Sequence, residues 1–345
     1  MSTFDGWDGW DGWDGWDGWD GWDGWDGWDG WDGWDGWDGW TVAKPSRSNA
    51  SGLALARTRE LLVAGPPPAT LAKPANWPRY SGADALLAVA PNYRRQILVA
   101  DLLSRVTMKG DRDRTSLLAF DGTRVAEVGE PMTAPSIAAF VEQLHEVEAK
   151  GTERSARSAE IMAQLRFNPM FWGNVLPLNP RTTPNTLELL LVAVAFASNI
   201  VQRVKLIFNR PRPNELSPRI QPLITTPGFS AYPSGHATES HLVATVLATL
   251  VREGMPASMQ SPEQREWLAQ VDRMLKLLAD RIADNRVVAG IHYPMDGEGG
   301  VALATKLAHI MNARRTANPT ADDAFGWLWN RAASEWGAES AATDR

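Results

Sequence analysis

Residues Asp5 to Trp40 consist of twelve tandem copies of the triplet Asp-Gly-Trp. This period of three matches neither the helical nor the strand repeat, and a glycine in every triplet raises the entropy cost of ordering the backbone. We therefore predict a low-complexity, disordered or loosely self-associated tail over residues 1–48, followed by one helical domain over residues 49–345. Two interpretations of the repeat stay open: a neutral expansion, and a sticky segment whose indole rings stack or bind ligands.

The repeat distorts the average composition of the chain. It holds twelve of the 41 acidic residues, so the rest of the sequence carries 29 acidic against 34 basic side chains. Such a small basic excess suits a small anionic ligand, and we expect no nucleic-acid partner, which would require a clustered basic face. The chain has no cysteine, which excludes disulfides, thiolate metal sites and cysteine nucleophiles.

Nothing near the N-terminus combines the basic start and apolar run of a secretory signal, so we expect a cytoplasmic protein. The most apolar run, Leu187 to Ile200, has 14 residues, whereas a bilayer requires about 20. This run predicts a buried core helix, no integral membrane segment and small soluble substrates. A homo-oligomer stays open.

Apolar residues at spacings of three and four predict an all-α helical bundle. Few strand signals appear, and proline and glycine concentrate between Arg210 and Pro233 and between Gly290 and Gly300, where long helices end. Loops at such positions often carry functional groups. The predicted helices are Ala83 to Val106, Ser136 to Lys150, Ser155 to Arg166, Leu187 to Phe208, Ala237 to Glu253, Pro262 to Asn285, Asp296 to Met311 and Asp322 to Ala333.

Two segments in these regions carry groups that suit an oxyanion. Lys205 and Arg212 are seven positions apart and would share one helix face if the helix continued, although the prolines beside Arg212 make its end irregular. Ser234, Gly235 and His236 open a predicted helix, so backbone N–H groups and the positive end of the helix dipole can face an anion. His236 can exchange a proton with the apical oxygen of that anion.

A third segment holds Arg286, His292 and Asp296. Pro294 places His292 just before a helix, so that Asp296 can orient the imidazole. One ring nitrogen then stays free to attack phosphorus or to coordinate a metal. The other three histidines, at positions 145, 241 and 309, lack such neighbours, and we interpret them as ordinary surface or core residues.

The three segments resemble the signature of the superfamily of type 2 phosphatidic acid phosphatases and vanadium-dependent haloperoxidases. That signature is Lys, six residues, Arg-Pro; then Pro-Ser-Gly-His; then Ser-Arg, five residues, His, three residues, Asp, and the order and spacings match over residues 205–296. Asn285 replaces the serine of the pattern. The resemblance implies oxyanion binding by Lys205, Arg212, Ser234, Gly235 and Arg286, and catalysis by His236, His292 and Asp296.

The resemblance is compatible with two roles for His292, because phosphate and vanadate are both tetrahedral oxyanions. In the haloperoxidases its counterpart binds the vanadium of a vanadate cofactor, and in the phosphatases it becomes a phosphohistidine. The stretch Phe229 to Thr238 is similar to the haloperoxidase version. We therefore expect a haloperoxidase that oxidises halide with hydrogen peroxide, with a soluble acid phosphatase acting on phosphate monoesters as the alternative. A second alternative is a binding or assembly module that acts through the repeat.

Overall fold

The computed structural model describes residues 82–104, 106–110, 114–120, 125–127, 132–255, 261–316 and 323–337. Helices dominate this part of the chain, so the predicted all-α class is confirmed. The predicted tail over residues 1–48 and its boundary with the domain lie outside the described residues.

The α-helices are α1 (Pro91–Ser104), α2 (Ile137–Glu142), α3 (Leu144–Lys150), α4 (Arg154–Ala163), α5 (Pro184–Phe208), α6 (Pro213–Leu216), α7 (Gly235–Gly254), α8 (Pro262–Val288), α9 (Pro294–Thr316) and α10 (Ala324–Ser334). Short 3-10 helices cover Gly82–Ala88, Gly151–Glu153 and Pro169–Asn174.

The helix α5 forms the centre of the core. It is apolar around most of its circumference, and Leu190, Phe196 and Ile200 are fully buried. A helix that is apolar on all sides belongs in the interior of a protein or a membrane. Helices α1, α7 and α10 pack directly against it, and α7 also packs against α8 and α9. The chain therefore buries its longest apolar run among other helices, as the sequence predicts.

The length of α5 bears on the membrane prediction. The segment Pro184–Leu216 is long and apolar enough to cross a membrane, with a mean hydropathy of 1.6, and 61% of its apolar window is buried inside the protein. The expectation of no spanning segment is not confirmed. It rested on the length of the uninterrupted apolar run, whereas the helix continues to Phe208. The cytoplasmic location stays a prediction.

The end of α5 corrects the expectation that Lys205 and Arg212 share one helix face. The helix ends at Phe208, and Asn209 follows it with a left-handed φ of 46°. This conformation turns the chain out of the helix axis. Arg212 then lies immediately before α6, so it approaches the site from a different element than Lys205.

A small antiparallel sheet was not predicted. It contains β1 (Val106–Gly110), β2 (Arg114–Phe120), β3 (Val125–Glu127) and β4 (Met132–Thr133). β2 pairs with all three other strands; Val106 lies opposite Ala119 in β1, and Arg114 lies opposite Thr133 in β4. The predicted helix from Ala83 to Val106 is correspondingly wrong at both ends, because a 3-10 helix precedes α1 and Val106 begins a strand. Short strands that pair through backbone hydrogen bonds leave only a weak trace in hydrophobic periodicity.

The predicted helix from Ser136 to Lys150 is two helices. Ser136 caps α2 by accepting a hydrogen bond from the Ala139 N–H, and Gln143 separates α2 from α3. The remaining predicted helices are present with ends that differ by up to five residues, which is the usual weakness of periodicity as a guide to boundaries.

Candidate active site

Lys205 is buried near the C-terminal end of α5 and points towards the loop before α7. Its Nζ donates hydrogen bonds to the carbonyl oxygens of Ser230 at 2.6 Å and Ala231 at 2.9 Å. An ammonium group has three donors, so these two bonds leave one for a ligand. The lysine thus fixes the loop while it keeps a positive charge in the pocket.

The Arg212 guanidinium holds the same loop from the other side. Its Nε donates to the Phe229 carbonyl at 3.0 Å, and Nη2 donates to the Ser230 carbonyl at 3.2 Å. Nη1 donates to the Ile291 carbonyl at 2.8 Å and lies 3.1 Å from Nε2 of His292. Arg212 therefore joins the loop before α7 to the segment that carries His292.

The N-terminus of α7 carries Ser234, Gly235 and His236. Ser234 caps the helix, its hydroxyl accepting from the Ala237 N–H at 3.4 Å, and its own N–H donates to the Asp296 carbonyl at 2.8 Å. This last bond fixes the start of α7 against α9. The open amide groups at a helix start favour an anion.

His292 is buried immediately before α9, and its hydrogen bonds define its tautomer. Arginine can only donate, so the 3.1 Å contact makes Nε2 of His292 the acceptor from Arg212. The ring proton is then on Nδ1, which donates to Asp296 Oδ2 at 2.9 Å. The same carboxylate oxygen accepts from the Tyr293 N–H at 2.9 Å. Asp296 thus orients the imidazole so that the lone pair of Nε2 is on the side of Arg212.

Arg286 and Asn285 belong to a buried polar network near the end of α8. Arg286 Nη2 donates to the Ile161 carbonyl at 3.2 Å and to Gln164 Oε1 at 3.3 Å, whereas its Nε and Nη1 have no hydrogen-bond partner among the described residues. Asn285 donates to the side chains of Gln164 and Glu160, at 2.8 Å each. Buried donors without a partner commonly indicate a bound ligand or water. Asn285, which departs from the family pattern, therefore supports Arg286 through Gln164.

Burial, and after it the nearby cations, determines the protonation of the two histidines. Burial lowers the pKa of His236 to about 4, and the charge of Arg286 adds to that effect. Burial and the charge of Arg212 hold the pKa of His292 well below its usual value. Burial, followed by Arg212, lowers the pKa of Lys205 to about 7. Both imidazoles are therefore neutral at pH 7 unless an anion balances the cations.

One pocket, with a volume of about 240 Å³, brings these groups together. A water molecule occupies about 30 Å³ in the liquid, so the pocket has room for a tetrahedral oxyanion and part of an organic group. Five predicted residues line it: Lys205, Arg212, Gly235, His236 and His292. The other three, Ser234, Arg286 and Asp296, lie behind this lining, where they cap α7, act electrostatically on both histidines and orient His292.

The sequence interpretation missed two residues of the site. Gln164 accepts hydrogen bonds from Asn285 and Arg286 through its side chain, and its backbone carbonyl lies 2.9 Å from Nε2 of His236. Glu239 lines the pocket three residues after His236. The helical spacing of three is a signal that could have identified Glu239, because it puts both side chains on one face of α7.

The three remaining histidines lie away from this pocket. His145 and His309 are exposed, and His241 is buried with Nε2 3.4 Å from Asp280 Oδ1. None of them lines the pocket, in agreement with the interpretation of all three as surface or core residues.

Comparison with known proteins finds a family model that matches the region of the site. A family model described as the PAP2 superfamily matches residues 187–318. The part of the chain that holds the site is therefore similar to the PAP2 superfamily. Every predicted site residue, from Lys205 to Asp296, lies within the matched PAP2 region, and the resemblance drawn from the three segments is confirmed.

A solved structure is similar to part of this chain. It is the crystal structure of the first transmembrane PAP2 type phosphatidylglycerolphosphate phosphatase from Bacillus subtilis, with 17% sequence identity and a TM-score of 0.31. The similarity covers 50% of this chain and 92% of that chain. No curated protein sequence matches the chain.

Proposed function

We propose that the chain is a phosphatase that hydrolyses phosphate monoesters through a phosphohistidine at His292. The observation that carries this proposal is the orientation of His292. Nδ1–H donates to Asp296 at 2.9 Å, which leaves the lone pair of Nε2 beside Arg212 in the pocket. A neutral imidazole oriented in this way is a nucleophile for phosphorus.

The surrounding donors suit the oxygens of a phosphoryl group. Lys205, Arg212 and Arg286 supply positive charge, and the N-terminus of α7 supplies backbone N–H groups. Phosphoryl transfer depends chiefly on such positioning and charge stabilisation. Nε and Nη1 of Arg286 are buried donors to which no described residue accepts a hydrogen bond, so they are available to an anion.

The reaction proceeds in two steps. In the first, Nε2 of His292 bonds to phosphorus, the bond from phosphorus to the ester oxygen breaks, and His236 gives its proton to the departing alcohol. In the second, His236 takes a proton from water, whose oxygen bonds to phosphorus as the bond to His292 breaks. The negative charge of the bound ester raises the pKa of His236 from its low value in the free protein, which makes it available as an acid.

Halide oxidation, the reaction predicted first, stays the competing candidate. Vanadate has the shape of phosphate, and the same cations would hold it with Nε2 of His292 as the ligand of vanadium. When bound, vanadate would activate peroxide. The size of the pocket and its apolar residues, including Phe167, Val201 and Phe229, give more support to an ester with an organic group than to a halide ion and peroxide.

The effect of vanadate on activity separates the two reactions. With p-nitrophenyl phosphate as substrate, we expect release of phosphate, inhibition by vanadate and an acid-labile phosphorylated histidine after rapid quenching. His292→Ala removes the label and the activity, whereas His309→Ala, which changes an exposed histidine on α9, leaves both intact. Activation by vanadate together with peroxide-dependent halide oxidation would replace the phosphatase proposal.

His236→Ala tests the proposed role of His236 as acid and base, separate from the role of His292 as nucleophile. Turnover should fall by roughly 10²- to 10⁴-fold, the usual contribution of a positioned acid or base. Because p-nitrophenolate leaves without a proton, the rate of the second step should fall more than that of the first. The phosphohistidine should therefore accumulate. A variant that turns over without accumulation would exclude His236 as the base of the second step.

A further inference from the structure

We propose that Glu239 forms a second recognition site in the pocket, which binds a hydroxyl group on the alcohol part of the phosphate ester. This inference rests on the proposed phosphatase function and specifies its substrate as a hydroxylated phosphate ester. None of the three segments that predict the site contains Glu239.

The position of Glu239 places it next to the reacting groups. It lies one turn after His236 on α7, and both side chains line the same pocket as Lys205 and His292. Glu239 and Lys205 are close enough for each to influence the titration of the other. His236 and Glu239 also line a small adjoining cavity with Gln164 and Trp172. A group attached to the ester oxygen beside His236 would therefore pass the Glu239 carboxyl.

The described residues leave the hydrogen-bonding capacity of the Glu239 carboxyl unused. Within the described ranges, no side chain or backbone group forms a hydrogen bond with it, although the residue is partly buried and lines the pocket. Burial raises the pKa of this carboxyl to about 8, and the charge of Lys205 opposes that rise. A carboxyl of a pocket-lining residue that has no partner among the described residues is available to bind a polar group of a ligand.

The charges around Glu239 select the chemistry of that group. Lys205 and Arg212 line the same pocket and disfavour an ammonium group on the substrate. A second phosphate or a carboxylate would meet the Glu239 carboxyl, which repels anions when it is ionised. A hydroxyl group carries no charge, donates to a carboxylate and accepts from a carboxylic acid, so it fits Glu239 in either protonation state.

Two esters with the same carbon chain test this recognition. Glycerol 3-phosphate and propyl phosphate both have three carbons, and only the first has hydroxyl groups on its chain. The measurement is the ratio of kcat/KM for glycerol 3-phosphate to that for propyl phosphate. The wild-type protein should favour the hydroxylated ester. Glu239→Leu should lower the ratio by roughly 10- to 100-fold, because the hydroxyl then loses its buried partner.

Leu165→Ala provides the matched control, since Leu165 lines the same pocket with a partly exposed apolar side chain. It should change both rates alike and leave the ratio unaltered. A purely structural role of Glu239 would also reduce both rates together. Circular dichroism and thermal unfolding establish that each variant is folded, and Glu239→Met, which has a similar length and no strong hydrogen-bonding group, replaces the leucine variant if that variant does not fold.

The outcomes separate the two proposals. A ratio that falls in the Glu239 variants but not in Leu165→Ala supports the recognition site. Hydrolysis of both esters with an unchanged ratio overturns this inference and leaves the phosphatase proposal intact. If the wild-type protein hydrolyses neither these esters nor p-nitrophenyl phosphate, the proposed function fails and this inference fails with it.

Discussion

At the scale of single residues, the pair of His292 and Asp296 gives the sharpest prediction. Asp296 holds the ring proton on Nδ1, and Asp296→Asn leaves only a neutral amide oxygen to accept from Nδ1 and from the Tyr293 N–H. The imidazole then loses the negative charge that stabilises the positive charge it gains when Nε2 bonds to phosphorus. We expect kcat to fall by roughly 10²- to 10⁴-fold, with little phosphohistidine after quenching. Asp280→Asn alters a histidine–carboxylate pair outside the pocket, beside His241, and should leave kcat unchanged. Equal losses in the two variants would contradict the assignment.

The replacement of serine by Asn285 supplies a second prediction at this scale. Asn285 donates to both Gln164 and Glu160, and Gln164 in turn accepts from Arg286. Serine is too short to make both bonds, so Asn285→Ser should loosen Arg286 and raise KM by roughly 10-fold, with a smaller change in kcat. The inhibition constant for inorganic phosphate should rise in parallel. Asn185→Ser removes a bond to Glu335 and should leave KM as it is. An unchanged KM in Asn285→Ser would mean that Gln164 does not position Arg286.

The spacing of residues along the chain predicts some parts of this site better than others. The three segments identify Lys205, Arg212 and His292, which line one pocket, because fixed spacing within a segment limits where each side chain can point. Gln164 could not be found in this way. It meets Asn285 across 121 positions of sequence, and that contact exists only after α4 has packed against α8.

At the scale of elements, the packing of α9 against the start of α7 determines the position of His236. A Cβ added at Gly300 on α9 would lie 2.7 Å from Cβ of Ala237 and 2.8 Å from the Ser234 carbonyl oxygen. Gly300→Ala should therefore push the N-terminus of α7 away, lower the free energy of unfolding by about 1–3 kcal/mol and reduce turnover. Gly297→Ala on the same helix meets nothing within 4 Å and should raise stability by up to about 1 kcal/mol. Denaturant unfolding and kcat check both variants, and similar values for the two would contradict the close-packing explanation.

The same scale shows where periodicity predicts structure and where it fails. The long apolar pattern of α5 predicts a buried helix, since almost all of its faces meet other helices. The four-stranded sheet between α1 and α2 is missed because its short strands depend on pairing with one another. Arg212 is predicted as a site residue but from the wrong element, since the left-handed conformation of Asn209 follows from the local backbone and not from hydrophobic spacing.

At the scale of the whole molecule, the open question is whether the Asp-Gly-Trp repeat takes part in the reaction. The residues that line the pocket and the three signature segments all lie between Leu165 and Asp296. Deletion of Asp5 to Trp40 should therefore leave kcat/KM per folded molecule nearly unchanged. Removal of twelve indoles and twelve carboxylates should instead alter solubility or self-association, because aromatic rings supply contact area and charges oppose it. Light scattering measures association, and a variant with serine at every tryptophan of the repeat preserves length and charge as a control. If the deleted chain retains its circular dichroism spectrum but loses most of its turnover, the repeat contributes to the reaction, and the interpretation of this segment as a binding module gains support.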